Sequence, residues 1–150
     1  EEIHAAFDLA FQEGKDVVAE AFLNGTEITC GVYRSLEGMI ALPLTEIVSE
    51  TDFFDYQAKY DGKSKEITPA RIQLSHQQEV QSQAKRIYQL LGLRAIARID
   101  FMLIDETPYI IEVNTTPGFS PASIVPQMLE VAQVNIQDFW TAIFKVELGM

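Results

Sequence analysis

The sequence predicts an α+β domain, an antiparallel sheet flanked by helices. Three observations carry that expectation. Apolar residues recur at helical spacing near the start, in the middle and at the end of the chain. Between these stretches lie runs rich in β-branched and aromatic residues. Short turn signals, Asn24-Gly25, Glu37-Gly38 and Asp105-Glu106-Thr107-Pro108, separate those runs, and short turns join antiparallel strands. The 150 residues are enough to bury one sizeable core.

Taken in order, residues 1–13 read as a helix with Ile3, Phe7, Ala10 and Phe11 on one face and Gly14 as its stop. Residues 16–23 read as a strand, Asn24-Gly25 as a hairpin turn, and residues 26–34 as the returning strand. A third strand is expected over residues 39–48, completing a meander. Residues 49–66 break the pattern: Phe53, Phe54, Tyr56 and Tyr60 are too many aromatics for a plain linker, so an ordered or ligand-ordered functional loop is expected. Ser75 to Gln78 fits a capping box. The helix it opens turns Val80, Ala84, Ile87, Leu90 and Leu91 inward and ends at Gly92. A second hairpin follows, then a Pro/Gly/Ser loop over residues 115–123. Residues 124–134 and 136–148 read as helices, with Asn135 capping the second and Phe139, Trp140 and Phe144 in the core. Cys30 reads as a small apolar filler in a strand, and His4 and His76 as solvated helix-surface residues.

Composition removes several classes of function. A net charge of −11 argues against nucleic acid as a partner, because phosphate backbones select basic patches. No apolar run approaches the roughly 20 residues that span a bilayer, so no membrane partner is expected either. The N-terminus carries no secretory signal pattern, and a single cysteine cannot form an internal disulfide. There is no P-loop, no G-x-S-x-G and no C-x-x-C. The chain opens in helical pattern without a Met, which leads us to expect the back portion of a longer protein.

The chemistry concentrates in the second hairpin. Alternation puts Arg98, Asp100 and Met102 on one face of its first strand, and Glu112 and Asn114 on one face of its second. A turn centred near Glu106 sets Asp100 opposite Glu112 and Arg98 opposite Asn114. Cβ atoms of directly opposed residues lie about 4.5–5.5 Å apart, so two carboxylates there repel unless a cation intervenes. The flanks Ile99, Phe101, Leu103, Ile110, Ile111 and Val113 are apolar, so the strands are covered and their acids need partners. Asp100, Glu112 and the Asn114 amide oxygen are hard ligands that suit Mg²⁺, with phosphate completing its shell.

An Asp on one strand and Glu-x-Asn on the next resembles the ATP-grasp superfamily of carboxylate–amine ligases. The fuller strings RIDFM and YIIEVNTTPGFSPASIVPQM, with VVAEAFLNGTEIT and FFDYQAKY before them, resemble the bacterial D-alanine–D-alanine ligase family over nearly the whole chain. The resemblance implies an ATP-grasp C-terminal domain over residues 21–150, with residues 1–20 as the tail of a central ATP-binding domain. It implies ATP, two divalent ions (Mg²⁺ or Mn²⁺), D-alanine as substrate, a homodimeric full-length enzyme and the bacterial cytoplasm. By the same likeness Asp100, Glu112 and Asn114 match the metal ligands. Glu20, Ala21 and Leu23 match the hinge that meets adenine, Glu27 the acid on the ribose hydroxyls, and Met102 and Ile111 the adenine slot. Lys59 and Tyr60 match the loop over the phosphates. Arg98, the Gly118 N–H and Ser123 match the groups around the second D-alanine and the reacting carbonyl.

The implied reaction has two steps. One D-alanine carboxylate attacks the γ-phosphate of ATP, giving an acyl phosphate and ADP. The amine of a second D-alanine then attacks the acyl carbon and expels phosphate. The family's domain for the first D-alanine, its upstream lysines and its Gly/Ser-rich phosphate loop have no counterpart in these residues. Gly118-Phe119-Ser120 also departs from the family's commoner Gly-Met-Thr. The rival readings are another ATP-grasp ligase, such as a D-alanine–D-lactate ligase, and a nucleotide- and metal-binding module without catalysis. Tyr60 in an Ala-Lys-Tyr loop favours the dipeptide product.

Overall fold

The computed structural model describes residues 2–49 and 64–150. Helix α1 (Glu2–Glu13) opens the chain. Strands β1 (Thr26–Ser35), β2 (Gly38–Ala41), β3 (Thr45–Ser49) and β4 (Ser64–Ile67) follow. Helix α2 (Leu74–Leu90) leads to the hairpin β5 (Ile96–Ile104) and β6 (Thr107–Asn114). Helices α3 (Ile124–Val131) and α4 (Ile136–Glu147) close it. The described strands form one six-stranded sheet in the order β4-β3-β1-β5-β6, with β2 also on β1, and every pairing is antiparallel. The expected α+β class with an antiparallel sheet flanked by helices is therefore observed.

Two cores sandwich the sheet. On one face Ile28, Cys30, Val32, Ile99 and Phe101 pack under Val80, Ala84 and Tyr88 of α2. On the other, Tyr33 and Ile96 meet Val125, Met128 and Leu129 of α3 and Phe139 and Ile143 of α4. Each Val, Ile, Leu, Met or Phe among them contributes about 1.5–3 kcal/mol when taken fully out of water. Cys30 is the buried filler expected, and burial pushes its thiol up to about 12, so it stays protonated and inert. Asn135 caps α4 as expected, its Oδ1 accepting from Gln137 N at 2.7 Å.

Several local expectations fail for physical reasons. Residues 16–23 form no strand, and no hairpin turns at Asn24-Gly25. A strand there would need an edge of β1, but β5 holds one edge and β2 and β3 share the other. Gly25 is needed instead for close approach: a Cβ on it would lie 2.3 Å from the Leu103 carbonyl oxygen. The single strand expected over residues 39–48 is broken at Leu42-Pro43-Leu44. Pro43 has no N–H to give the ladder, and the break sends Leu42 and Leu44 to opposite cores. A continuous strand would have put them on one face.

Helix α2 begins before the expected box, with Gln73 at its N-cap and no side-chain cap bond. Val80 and Ala84 point inward as expected, but the third buried residue is Tyr88, whose hydroxyl donates to Ala95 O, while Leu90 and Leu91 are exposed. Phe144 is also half exposed, whereas Phe139 is fully buried. His76 is not a free surface residue: its Nε2 lies 3.3 Å from Glu106 Oε2. The loop expected over 49–66 gives way to β4 at Ser64, and its aromatic stretch lies outside the described residues. Helix α1 buries none of its residues.

Candidate active site

Three rungs running across β1, β5 and β6 build the site: Glu27–Met102–Tyr109, Thr29–Asp100–Glu112 and Gly31–Arg98–Asn114. Alternate residues share a face, so Glu27, Thr29, Arg98, Asp100 and Met102 project together. The first rung continues outward through Ile47 to Glu66. A cavity of about 380 Å³ opens over these residues. Ile47, Met102, Ile111 and Ile124 give it apolar walls, and Glu27, Glu66, Asp100 and Glu112 line it with Arg98. Of these acids Asp100, Glu112 and Glu27 act on the Arg98 guanidinium. Among the described residues, four carboxylates against one cation leave an excess of negative charge that favours a cationic ligand. A cavity of similar size, about 370 Å³, lies between the β1–β2 turn and α4, but it has no such convergence of acids on an arginine.

The opposition of Asp100 and Glu112 is as expected, yet it arises differently. The turn is the two-residue Asp105-Glu106, both at positive φ (45° and 71°), with Ile104 paired to Thr107. That is the backbone of a type I′ hairpin. Such a turn alone would set Asp100 against Ile111. A β-bulge between Asp100 and Phe101 takes up one residue: Phe101 faces Ile110, Asp100 faces Glu112, and Ile111 is extra. The bulge also lets Ile111 and Glu112, neighbours in sequence, line one cavity.

Arg98 holds the acids. Its Nε donates to Asp100 Oδ1 at 2.9 Å and its Nη2 to Oδ2 at 2.7 Å, and Nη2 lies 3.5 Å from Glu112 Oε1. Thr29 donates its hydroxyl to Asp100 Oδ1 from the neighbouring strand. Burial works against the charge on Arg98. The hydrogen bonds and charge of Asp100, then Glu112 and Glu27, outweigh it and hold its pKa above the ordinary guanidinium value.

Asn114 lies opposite Arg98, and its Oδ1 accepts from Thr116 N at 3.1 Å. A carbonyl oxygen keeps a second lone pair for another partner. Ser123 occupies the N-cap of α3 without capping it. Its Oγ instead accepts from Ser120 N at 3.0 Å and sits 2.9 Å from Ser120 Oγ. Gly118 is packed against it, since a Cβ there would lie 3.1 Å from Ser123 Oγ. Gly118 and Ser123 thus form one corner, and Ile124, next in the chain, reaches the cavity wall. Glu20, Ala21 and Leu23 do not line the cavity; Glu20 borders a separate groove against α1. Lys59 and Tyr60 lie outside the described residues.

Thr29, Ile47, Glu66 and Ile124 line the cavity without having been singled out. Thr29 was within reach of sequence reasoning, two residues from Glu27 on one strand. Ile47 and Glu66 were not, because their place depends on pairings between distant segments. Glu66 is steadied by Gln127 of α3, whose Nε2 donates to its Oε2 at 2.7 Å.

Comparison with known proteins gives this arrangement a family. The model of the D-ala D-ala ligase C-terminus matches residues 1–145. The chain is 42% identical over 148 residues to a D-alanine–D-alanine ligase of Flavobacterium johnsoniae, covering 99% of this chain and 46% of that protein. It is 43% identical over 146 residues to one of Bacteroides fragilis, covering 97% and 45%. The chain thus spans about half the length of the curated relatives it matches. A D-alanine–D-alanine ligase from Bacillus anthracis solved in complex with ATP superposes with a TM-score of 0.79 at 30% identity, over 98% of this chain and 47% of that one. A D-Ala:D-Ser ligase from Enterococcus faecalis gives 0.83 at 32%, over 95% and 42%. With its sheet, its opposed acids and a family match over nearly every residue in agreement, the chain belongs to the D-alanine–D-alanine ligase C-terminal family.

Proposed function

We propose that this chain is the nucleotide- and metal-holding part of a bacterial D-alanine–D-alanine ligase. The full enzyme joins two D-alanines through an acyl phosphate at the expense of ATP, for peptidoglycan synthesis. The observation that carries this reading is one cavity that combines apolar walls with Arg98 in contact with two opposed carboxylates. Residues 1–20 belong to the central ATP-binding domain and residues 21–150 to the C-terminal domain. The absence of any buried residue in α1 supports that division. On family likeness we take the full-length enzyme to be a homodimer of the bacterial cytoplasm. Among the described residues no helix is long and apolar enough to cross a membrane.

Roles follow from position. Ile47, Met102 and Ile111 offer flat apolar surface to an adenine ring, and Glu27, in the same rung as Met102, accepts hydrogen bonds from ribose hydroxyls. Glu20, Ala21 and Leu23 keep the hinge role, and Lys59 and Tyr60 the phosphate-loop role, that the family likeness implies.

Asp100, Glu112 and Asn114 supply the hard oxygens that Mg²⁺ or Mn²⁺ requires. No cluster of three or more His, Cys, Asp or Glu among the described residues is placed to hold a metal by itself. The donor set therefore suits ions that draw the rest of their shell from phosphate and water. Bound there, a pair of divalent ions would neutralise charge developing on the transferred phosphoryl group. Arg98 and the Gly118 N–H donate to the oxyanion of the tetrahedral intermediate. Ser123 holds the loop that carries Gly118.

A phosphate-release assay with ATP, Mg²⁺ and D-alanine tests the reading. The full-length protein containing this chain should release phosphate in a D-alanine-dependent way. The 150 residues alone should not, because positioning and phosphate-binding cations dominate phosphoryl transfer. Robust turnover by the 150 residues alone, or none by the full-length protein, would overturn it.

A further inference from the structure

We propose that Thr29 is a positioning residue for Asp100: its hydroxyl fixes Oδ1 while Oδ2 passes from Arg98 to a divalent cation. The inference rests on the metal role proposed above for Asp100. Thr29 and Asp100 are direct partners in the β1–β5 ladder, and they are 1% and 6% exposed. The Thr29 hydroxyl donates to Oδ1, while Oδ2 is held by Arg98 Nη2 at 2.7 Å. A cation that takes the Oδ2 lone pair now facing Arg98 opens that prong of the fork. The carboxylate torsion of an Asp is broad and two-fold, so a group released by its arginine is free to turn. A second, stationary donor on Oδ1 prevents the turn. Thr29 suits this task because a β-branched side chain has few χ1 rotamers and its backbone is locked between strands.

The neighbouring threonine is a useful contrast. Thr45, opposite Thr29 on β3, pairs its hydroxyl with Thr68 at 2.6 Å and so ties strand to loop. Thr29 makes no such tie; its hydroxyl serves a carboxylate already fixed in the adjacent strand. When Arg98 leaves Oδ2 it stays near Glu112 and is free to donate to an anionic group in the cavity. A cation bound in place of Nη2 would couple metal loading to the release of Arg98, with Thr29 as the fixed point.

The test uses full-length protein containing this chain, with Thr29→Val and Thr29→Ser. Mn²⁺ binding is measured by electron paramagnetic resonance with a non-hydrolysable ATP analogue, beside the Mg²⁺ dependence of D-alanine-dependent ADP formation. Loss of an outer-shell partner weakens metal binding about 10–100-fold, so Thr29→Val should weaken Mn²⁺ by at least about tenfold and raise the half-saturating Mg²⁺ equally. Its kcat at saturating Mg²⁺ should stay near wild type, and Thr29→Ser, which keeps the donor, should restore affinity. Thr29→Ala removes the same donor and replaces Thr29→Val if that variant does not fold. Unchanged Mn²⁺ affinity without the hydroxyl would overturn the proposal. So would an equal loss in Thr29→Ser, as a purely structural role predicts. If wild type binds Mn²⁺ with nucleotide but forms no ADP with D-alanine, the ligase reading falls, and the binding comparison still decides Thr29.

Discussion

Glu46 and Asp100 each accept a fork from an arginine. Arg71 reaches Glu46 at 2.8 and 2.7 Å, and Arg98 reaches Asp100 at 2.9 and 2.7 Å. The geometry is nearly the same, but the surroundings are not. Arg71 lies 25 residues from Glu46, and its backbone N–H adds a bond to Oε2, so the pair clamps the segment before α2 onto β3. Arg98 and Asp100 are two residues apart on one strand, so their fork joins groups the ladder already fixes. It also faces a cavity and a second acid. One fork can be read as a clamp for the fold and the other as a contact held ready for exchange. Separation in sequence and neighbouring charge distinguish them; bond length does not.

That contrast can be broken by exchanging what each pair lacks. The largest effect is expected at Glu112. In the full-length protein Glu112→Gln should abolish D-alanine-dependent turnover, since it removes one of the two opposed carboxylates, and should leave the melting temperature close to wild type. A large fall in stability with activity retained would make Glu112 a structural partner of Arg98 instead. Next comes Arg98→Ala, expected to lower kcat by about 10²–10³-fold through loss of an oxyanion donor. Near-wild-type kcat there would remove that role and leave the family assignment standing.

The smallest effects belong to the other pair. Glu46→Gln should lower stability by on the order of 1 kcal/mol, as expected for loss of a charged hydrogen bond, and leave kcat unchanged. Thermal melts beside the activity assay check both halves. The same residue carries a pH signature. Hydrogen bonding from Arg71, despite some burial, holds the Glu46 carboxyl below its ordinary value of 4.5. A lowered carboxyl stabilises the fold fully above that ordinary value and loses the contribution as pH falls through the folded one. Melting temperature should therefore drop on acidification below about pH 4.5, and Glu46→Gln should make that drop shallower. Equal slopes in the two proteins would show that acid unfolding is governed elsewhere.

Much of this was legible in the sequence, and the reasons differ by element. The site hairpin was readable because alternation and a turn signal lie within a few residues of each other. Cys30 and the Asn135 cap were readable because each depends on its own strand or helix. The failures have different causes. Residues 16–23 have the composition of a strand, but a strand exists only beside a free edge, and β1 has none to offer. Ile47 and Glu66 enter the site through pairings across the sheet that no local pattern encodes. Leu90 and Leu91 fit a helical period but meet solvent, while Tyr88 takes the buried place in that turn.

The bulge at Ile111 gives the hairpin a tolerance to changes in length. With Ile111 deleted, Phe101 could still face Ile110 and Asp100 could still face Glu112, now in an unbroken ladder. The gene could therefore lose that codon without turning either carboxylate to the far side of the sheet. It would lose an apolar wall of the cavity and the extra local twist that a bulge brings. A codon lost from Asp105-Glu106 would instead have to be absorbed by a new turn. Length variation among natural hairpins of this kind should therefore collect beside the acids, where a residue can come and go while the register of the acids is kept.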